Sequence, residues 1–422
     1  MYAISTILNN VRESVIKSPN IAMLVAGVFA STPVLAANYG TDLNNTMLPA
    51  AGGMAGVSIA HSIEPAAAVF GNPATLTQFN EGTNFSFGAT FYKPTVRAKH
   101  SGGNTGVPWK AKSEADNYLV PTIAITQAFS DRFVAGLGLT AQSGIGSDFR
   151  DTPGSLNPDS ELLVFMANVG LAYKVTDQLS FGAAATIGNG YLQMGLSSNT
   201  ASTHGFGFRG TVGAKYDMSE STSFGAYYRS PLKIRYDNVV DNGGPIGPGK
   251  GNFWDVHVTQ PQEFAIGVSN NSLMGGNLRI GADVIFKDWS SAELYEDIFR
   301  DQTVFSVGGE LTTGAAKWRL GYSHARNPIK KNVGSTIAGV PSMGSPMGTL
   351  QLNPSLVQYF QATNAEPIWE DQISAGFGYA FNERLSLDTH VAFALKNHET
   401  IGFTKVEAST WQAGLGLTWT FK

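Results

Sequence analysis

The sequence predicts an all-β transmembrane antiparallel β-barrel of about fourteen strands with a non-strand segment ahead of the first. Three observations carry this. From Asn84 onward apolar and small or polar residues alternate with a period of two. The connections switch regularly between short and long. After the N-terminus no apolar run reaches the roughly 18 residues that a membrane helix needs, so a spanning chain has to close its strands into a cylinder, because lipid offers nothing to an unpaired edge.

The 48 glycines and 25 phenylalanines against 14% charged residues suit such a wall. The absence of cysteine removes thiol catalysis, disulfides and thiolate metal sites together. A net charge of −4, spread over both halves, argues against nucleic acid as a partner.

In chain order, residues 1–37 read as an export signal. Arg12 and Lys17 supply charge, residues 21–30 a short apolar core, and Val34, Leu35, Ala36 and Ala37 a small-residue cleavage site. Residues 38–81, rich in Ala, Gly, Pro and Asn, lack alternation and form a separate small element. Residues 82–422 form the barrel. Its first strand sets Phe85, Phe87, Ala89 and Phe91 against Asn84, Ser86, Gly88 and Thr90. The last sets Trp411, Ala413, Leu415, Leu417, Trp419 and Phe421 against Thr410, Gln412, Gly414, Gly416, Thr418 and Thr420. One face suits lipid, the other a wet lumen.

Tight turns are expected at 130–132, 176–178, 217–220, 270–277, 312–316 and 382–384. Long connections are expected at 99–114, 144–160, 195–203, 237–255, 290–302, 327–366 and 397–406. Short turns facing the periplasm and long loops facing outward place both termini inside. The 327–366 loop is apolar for a chain in water (Met343, Met347, Leu350, Leu352, Leu356, Val357, Tyr359, Phe360), and Asn353 can cap a short helix with Pro354 at its first position. It reads as a lid on the barrel mouth or as an apolar landing groove.

Two nucleotide-like patterns fail on context. GPIGPGKG at 244–251 has Gly251 where a Ser or Thr would hold magnesium, and no helix follows. GFGFRG at 205–210 continues a strand through Phe206 and Phe208, where a turn and helix are required. No histidines show metal-ligand spacing and no serine sits in a nucleophile elbow. His390 beside Asp388 is the nearest fragment of a catalytic site, and a solvated lumen histidine is the simpler reading. Neither a metal nor any cofactor is implied.

If Phe206, Phe208, Tyr228, Leu278, Ile280, Trp318 and Leu320 face lipid, then Arg209, Lys215, Arg229, Arg279, Asp283, Lys287 and Arg319 face the lumen. Arg209, Arg229, Arg279 and Arg319 are candidates to hold an anionic head group. The alternative is that they pair with lumen acids such as Asp283, Glu310 and Asp388, or with the N-terminal segment.

PAAAVFGNPATL at residues 65–76 resembles the N-terminal hatch of the FadL-type long-chain fatty acid transporters, which carry an Asn-Pro-Ala motif there; Asn72, Pro73 and Ala74 match it. Further short matches follow in the family's order: Tyr228-Arg229-Ser230-Pro231, then Pro261 with Phe264 and Gly267, then Asp283 with Asp288-Trp289-Ser290, then Trp318-Arg319-Leu320-Gly321-Tyr322. The resemblance implies a monomeric outer-membrane barrel of about fourteen strands, inserted by the barrel assembly machinery and plugged by a hatch at 38–81. It implies passive uptake of hydrophobic compounds, long-chain fatty acids first and aromatic hydrocarbons next. Ligand would enter from an outer apolar groove and leave sideways into outer-membrane lipid at a distorted third strand. That strand is expected at 131–143, with Gly136 and Gly138 as the kink. Two features depart from the family: Lys422 follows Phe421 where an aromatic end is usual, and the 195–203 connection is short for a lid. The rival readings are a general diffusion porin, whose bore would be open, and an outer-membrane lipid hydrolase, which needs a serine beside His390.

Overall fold

The computed structural model describes residues 44–103, 107–195, 201–241, 253–331, 333, 354–364 and 368–421. The expected signal, the first six residues of the 38–81 element, the 244–251 pattern, most of the 327–366 loop (with Met343, Met347, Leu350, Leu352 and Asn353) and Lys422 lie outside these residues, as do 196–200 of the 195–203 connection.

The strands are β1 (Thr83–His100), β2 (Trp109–Lys112), β3 (Tyr118–Ala128), β4 (Phe133–Asp148), β5 (Asp159–Lys174), β6 (Leu179–Gly195), β7 (Ala201–Asp217), β8 (Thr222–Arg229) and β9 (Leu232–Asp241). They continue as β10 (Phe253–Gln260), β11 (Gln262–Leu273), β12 (Leu278–Asp288), β13 (Gln302–Thr313), β14 (Ala316–Ala325), β15 (Asp371–Ala380), β16 (Leu385–Ile401) and β17 (Thr404–Phe421). One sheet of 15 strands runs from β17 back through β11 to β8 and on to β1 and β2, and β17 also pairs with β1. β2 pairs only with Arg97–His100 at the end of β1, so fourteen strands make the closed antiparallel wall. No helix among the described residues is long and apolar enough to cross a membrane.

The two faces follow the period of the sequence. Phe208 and Leu320 are 72% and 70% exposed, while Arg209 and Arg319 beside them are buried. On β17, Trp411, Leu415, Leu417, Trp419 and Phe421 are exposed and Thr410 and Gln412 buried. Exposed apolar side chains around a closed wall have lipid as their solvent.

Two connections differ from expectation. Residues 397–406 are not a loop: β16 and β17 stay paired to Ile401↔Thr404, and Gly402 at φ +55° makes the two-residue turn. On either side of residues 242–252, the middle of the expected 237–255 connection, which lies outside the described residues, β9 pairs with β10 as a two-stranded sheet separate from the wall. Pro231 and Pro261 bracket it. A proline has no N–H for a ladder, so the wall strands β8 and β11 end there and the intervening chain is released inward.

Residues 44–79 precede the wall as a run of short helical turns, Asn44–Met47, Ala51–Met54, α1 (Pro65–Phe70) and Pro73–Gln78. They are almost wholly buried. Above them, toward the long loops, a large apolar cluster is built from inward residues of β1, β5, β6 and β17, the β9–β10 hairpin, residues 289–299 and the helix α2 (Pro354–Asn364).

Candidate functional site

The N-terminal segment is seated on glycines. On many wall strands the inward residue a few positions above the short turn is glycine, and the segment occupies the space a Cβ would need. A Cβ on Gly136 would lie 2.8 Å from Leu76, on Gly182 2.5 Å from the Ala74 nitrogen, and on Gly281 2.7 Å from Val57. On Gly308 it would lie 2.7 Å from Met54, on Gly376 2.9 Å from the Gly53 Cα, and on Gly416 2.5 Å from Pro49. These contacts come from opposite sides of the barrel, so the segment fills the bore at that level.

Asn72 is the junction of this seat. Its Oδ1 accepts from the Ala74 N–H (3.1 Å), while Nδ2 donates to the carbonyls of Ile59 (2.8 Å) and, across to the wall, of Ala214 (3.0 Å). Pro73 opens the helical turn, where its missing N–H costs nothing. Ala74 is fully buried over Gly182.

Carboxylates hold the loop amides. Asp283 on β12 accepts from the N–H groups of Ser58 (2.7 Å) and Ile59 (3.1 Å). Within the segment, Glu64 accepts from Ala50 (2.9 Å) and Ala51 (2.7 Å). Burial raises the Glu64 pKa to about 7 against the pull of those two amides. Burial likewise lowers the His61 pKa to about 3. His390 turns Nδ1 to the Pro49 carbonyl (3.2 Å) and Nε2 to the Gln412 amide (3.1 Å). Since Gln412 Nε2 is a donor, Nδ1 carries the proton. No serine stands among these partners, so the ring is a structural contact.

The four arginines proposed for an anion do not form one site. Arg229 is bound to Glu263 (3.1 Å), donates to the Phe70 carbonyl and lies 5.0 Å over the Tyr227 ring. Lys287 stands 3.7 Å from the other Glu263 oxygen. Arg319 bridges Glu310 and Asp388, both at 2.7 Å. Arg279 contacts Ser269 (3.3 Å) and Arg209 the Met166 sulfur (3.3 Å). Buried ion pairs of this kind hold each other, and Arg229 and Arg319 are committed to wall carboxylates. Sequence reasoning missed Glu263, although Phe264 and Ile266, 50% and 62% exposed, mark its position as inward.

The expected kink at Gly136 and Gly138 is corrected by the register. Both lie in an unbroken ladder with β3 and β5, and their missing side chains make room for Val69, Phe70 and Leu76. The break comes higher: Ala141 pairs with Phe165 and Ser143 with Val164, leaving Gln142 as an extra residue. The β3–β4 ladder itself stops at Thr122↔Thr140. Just beyond is Pro121, which has no N–H to offer. Above this, β3 continues against β1 to Tyr118 and β4 against β5 to Asp148. Glu114 rejoins the β4 end by donating to the Asp148 carbonyl (3.0 Å).

The upper bore is apolar. A narrow cleft, whose atom-free space of about 520 Å³ includes open solvent, lies among β5, β6, the β9–β10 hairpin, residues 294–298 and α2, lined by Leu162, Leu192, Met194, Val258, Tyr295 and Phe360 with Ser160, Gln361 and Asn364. α2 begins at Pro354, as the sequence leads one to expect.

Residues 27–337 match the family described as outer membrane protein transport protein (OMPP1/FadL/TodX). The chain belongs to this outer membrane transport family. Relatives of this family member include the long-chain fatty acid transport proteins of Escherichia coli O6:H1, 24% identical over 80% of this chain and 82% of theirs, and of Escherichia coli O157:H7, 23% identical over 83% and 87%. Among solved structures, the Pseudomonas putida toluene transporter TodX superposes with a TM-score of 0.65 at 17% identity, covering 90% of this chain and 99% of that one. A Pseudomonas aeruginosa FadL homologue superposes at 0.63 and 15% identity, covering 91% and 100%. The family consists of transport channels and places this barrel in the outer membrane.

Proposed function

We propose that this family member takes up hydrophobic compounds passively, long-chain fatty acids first and monoaromatic hydrocarbons second. The observation that carries the reading is vertical order. An apolar upper bore stands directly above a segment seated wall to wall, and beside that segment the β3–β4 ladder ends early.

Each buried methylene is worth about 0.8 kcal/mol, so an acyl chain that has entered the apolar upper bore does not readily pass into a wet pore. A route that stays apolar and leaves sideways into lipid avoids that cost. In this reading residues 44–79 are the hatch, Asn72, Pro73 and Ala74 hold its closed shape, and the interval above Thr122↔Thr140 is the exit. The fatty acid preference draws on the named sequence relatives; the aromatic alternative draws on the toluene transporter of like fold. A diffusion porin is disfavoured by the filled bore, and a lipid hydrolase by the committed ring of His390.

The test is uptake of labelled oleate and toluene in a strain lacking its own transporter. Expression of the chain should raise uptake. Deleting Gln142, which restores the strand register, and replacing Asn72 and Pro73 by Ala should each change it at equal surface level. Large steady conductance in planar bilayers, with no gain in uptake, would establish the porin instead.

A further inference from the structure

The cleft under α2 carries two polar side chains that the apolar reading leaves unexplained. Gln361 and Asn364 line it and are 1% and 3% exposed. Gln361 Nε2 donates to the carbonyls of Ile298 (2.9 Å) and Lys330 (3.2 Å), which fixes the amide and leaves Oε1 without a partner among the described residues. Asn364 Nδ2 donates to Thr363 Oγ1 (3.2 Å), and its Oδ1 is likewise without a partner. The helix end is anchored independently, since Ser160 donates to the Asn364 carbonyl (3.1 Å).

A buried acceptor left unmade is costly, and a native protein keeps few of them. Two in one apolar cleft ask for a donor from outside. None of the described residues lining the cleft is Asp, Glu, Lys, Arg or His. An anion there would therefore find two acceptor oxygens and no cation, and its burial would go uncompensated. A plain hydrocarbon would leave both acceptors bare.

We propose that this cleft selects neutral molecules with one O–H donor on an apolar body, as in a phenol, an alkanol or a protonated fatty acid, the hydroxyl being received by Gln361 Oε1 and Asn364 Oδ1. The inference rests on the uptake reading and refines its ligand class. It moves recognition of the head from the lumen arginines, two of which are committed to wall carboxylates, to a pair of amides on one helix.

The test is equilibrium dialysis of labelled p-cresol, toluene and benzoate, plus decanoic acid below and above its pKa, against the protein in nanodiscs, with empty nanodiscs subtracted. p-Cresol should bind about tenfold tighter than toluene, the scale of one satisfied hydrogen bond, benzoate should not bind, and decanoic acid should bind better when protonated. Asn364→Leu should bring the p-cresol to toluene ratio near one. Gln361→Met should do the same, with fold checked by heat-modifiable gel mobility because two backbone contacts are lost. The ratio reads selection even if either variant weakens all binding. A native ratio near one, with toluene still bound and taken up, overturns the hydroxyl selection and leaves the uptake reading standing. Tighter binding of benzoate overturns the selection outright, and no binding of either neutral probe overturns the cleft as a station on the path.

Discussion

Replacing Gly225 by Ala tests whether the N-terminal segment is held by the wall. The new Cβ would sit 2.6 Å from the Ile59 carbonyl carbon and 2.7 Å from the Ala60 Cα. Those are backbone atoms, and Asp283 holds the adjoining Ser58 and Ile59 amides at 2.7 and 3.1 Å, so the segment cannot shift aside freely. Gly210 is the control. It faces outward, and a Cβ there would come no nearer than 3.9 Å to Ala184 O. Both substitutions share the gain of about 0.5–1 kcal/mol from removing a strand glycine. Overpacking of a filled site costs about 1–3 kcal/mol, so Gly225→Ala should be less stable than Gly210→Ala by about that amount. Urea unfolding in detergent, followed by tryptophan fluorescence and by heat-modifiable mobility, measures it, and protease protection of residues 44–79 should fall only in Gly225→Ala. Equal midpoints for the two variants, with equal protection, would refute the seating.

Glu263→Leu leaves Arg229 and Lys287 buried without their shared carboxylate, and the loss should be about 3–5 kcal/mol; the triple variant with Arg229→Leu and Lys287→Met should recover most of it in the same unfolding assay. Stability should also depend on Glu64. Its folded pKa of about 7 lies above the ordinary 4.5, so the native state binds the extra proton between those values, and stability is lost as pH rises from 4.5 to 7, by roughly 3 kcal/mol at 1.36 per unit. His61, lowered to about 3 from 6.5, acts with the opposite sign, adding stability as pH rises from 3 to 6.5. The contrast between the wild type and Glu64→Gln therefore isolates the carboxyl: the variant should lack the fall toward pH 7, and parallel pH profiles would contradict this.

The wall was legible because its rule is local. Alternation in β1, β7 and β17 depends on each residue and its neighbour but one, and lipid enforces it at every strand. Asn72, Pro73 and Ala74 stand out in the sequence only through the resemblance; that the Asn72 oxygen caps the proline-led turn is a finding of the fold. The seat was not legible. Gly136 and Gly138 invite a kink when read along their own strand, and only the arrival of Val69, Phe70 and Leu76 from elsewhere shows them to be room for packing. The four arginines read either as a basic patch or as partners of lumen acids; the fold pairs Arg319 with Glu310 and Asp388, as the second reading expects, and pairs Arg229 with Glu263, which the sequence reading does not name.

By itself the sequence determined that this chain crosses a membrane with strands, which faces meet lipid, and which segment stands apart from the wall. These follow from a period of two and from the punctuation of turns, both written in neighbouring residues. Tertiary structure alone decided what the inward face does: where the plug-like segment rests, which charges cancel, that β9 and β10 fold inward as a hairpin, where the β3–β4 ladder stops, and that two amide oxygens of α2 have no donor among the described residues. The lumen is a meeting of strands from the whole length of the chain, so its chemistry exists only once the barrel has closed.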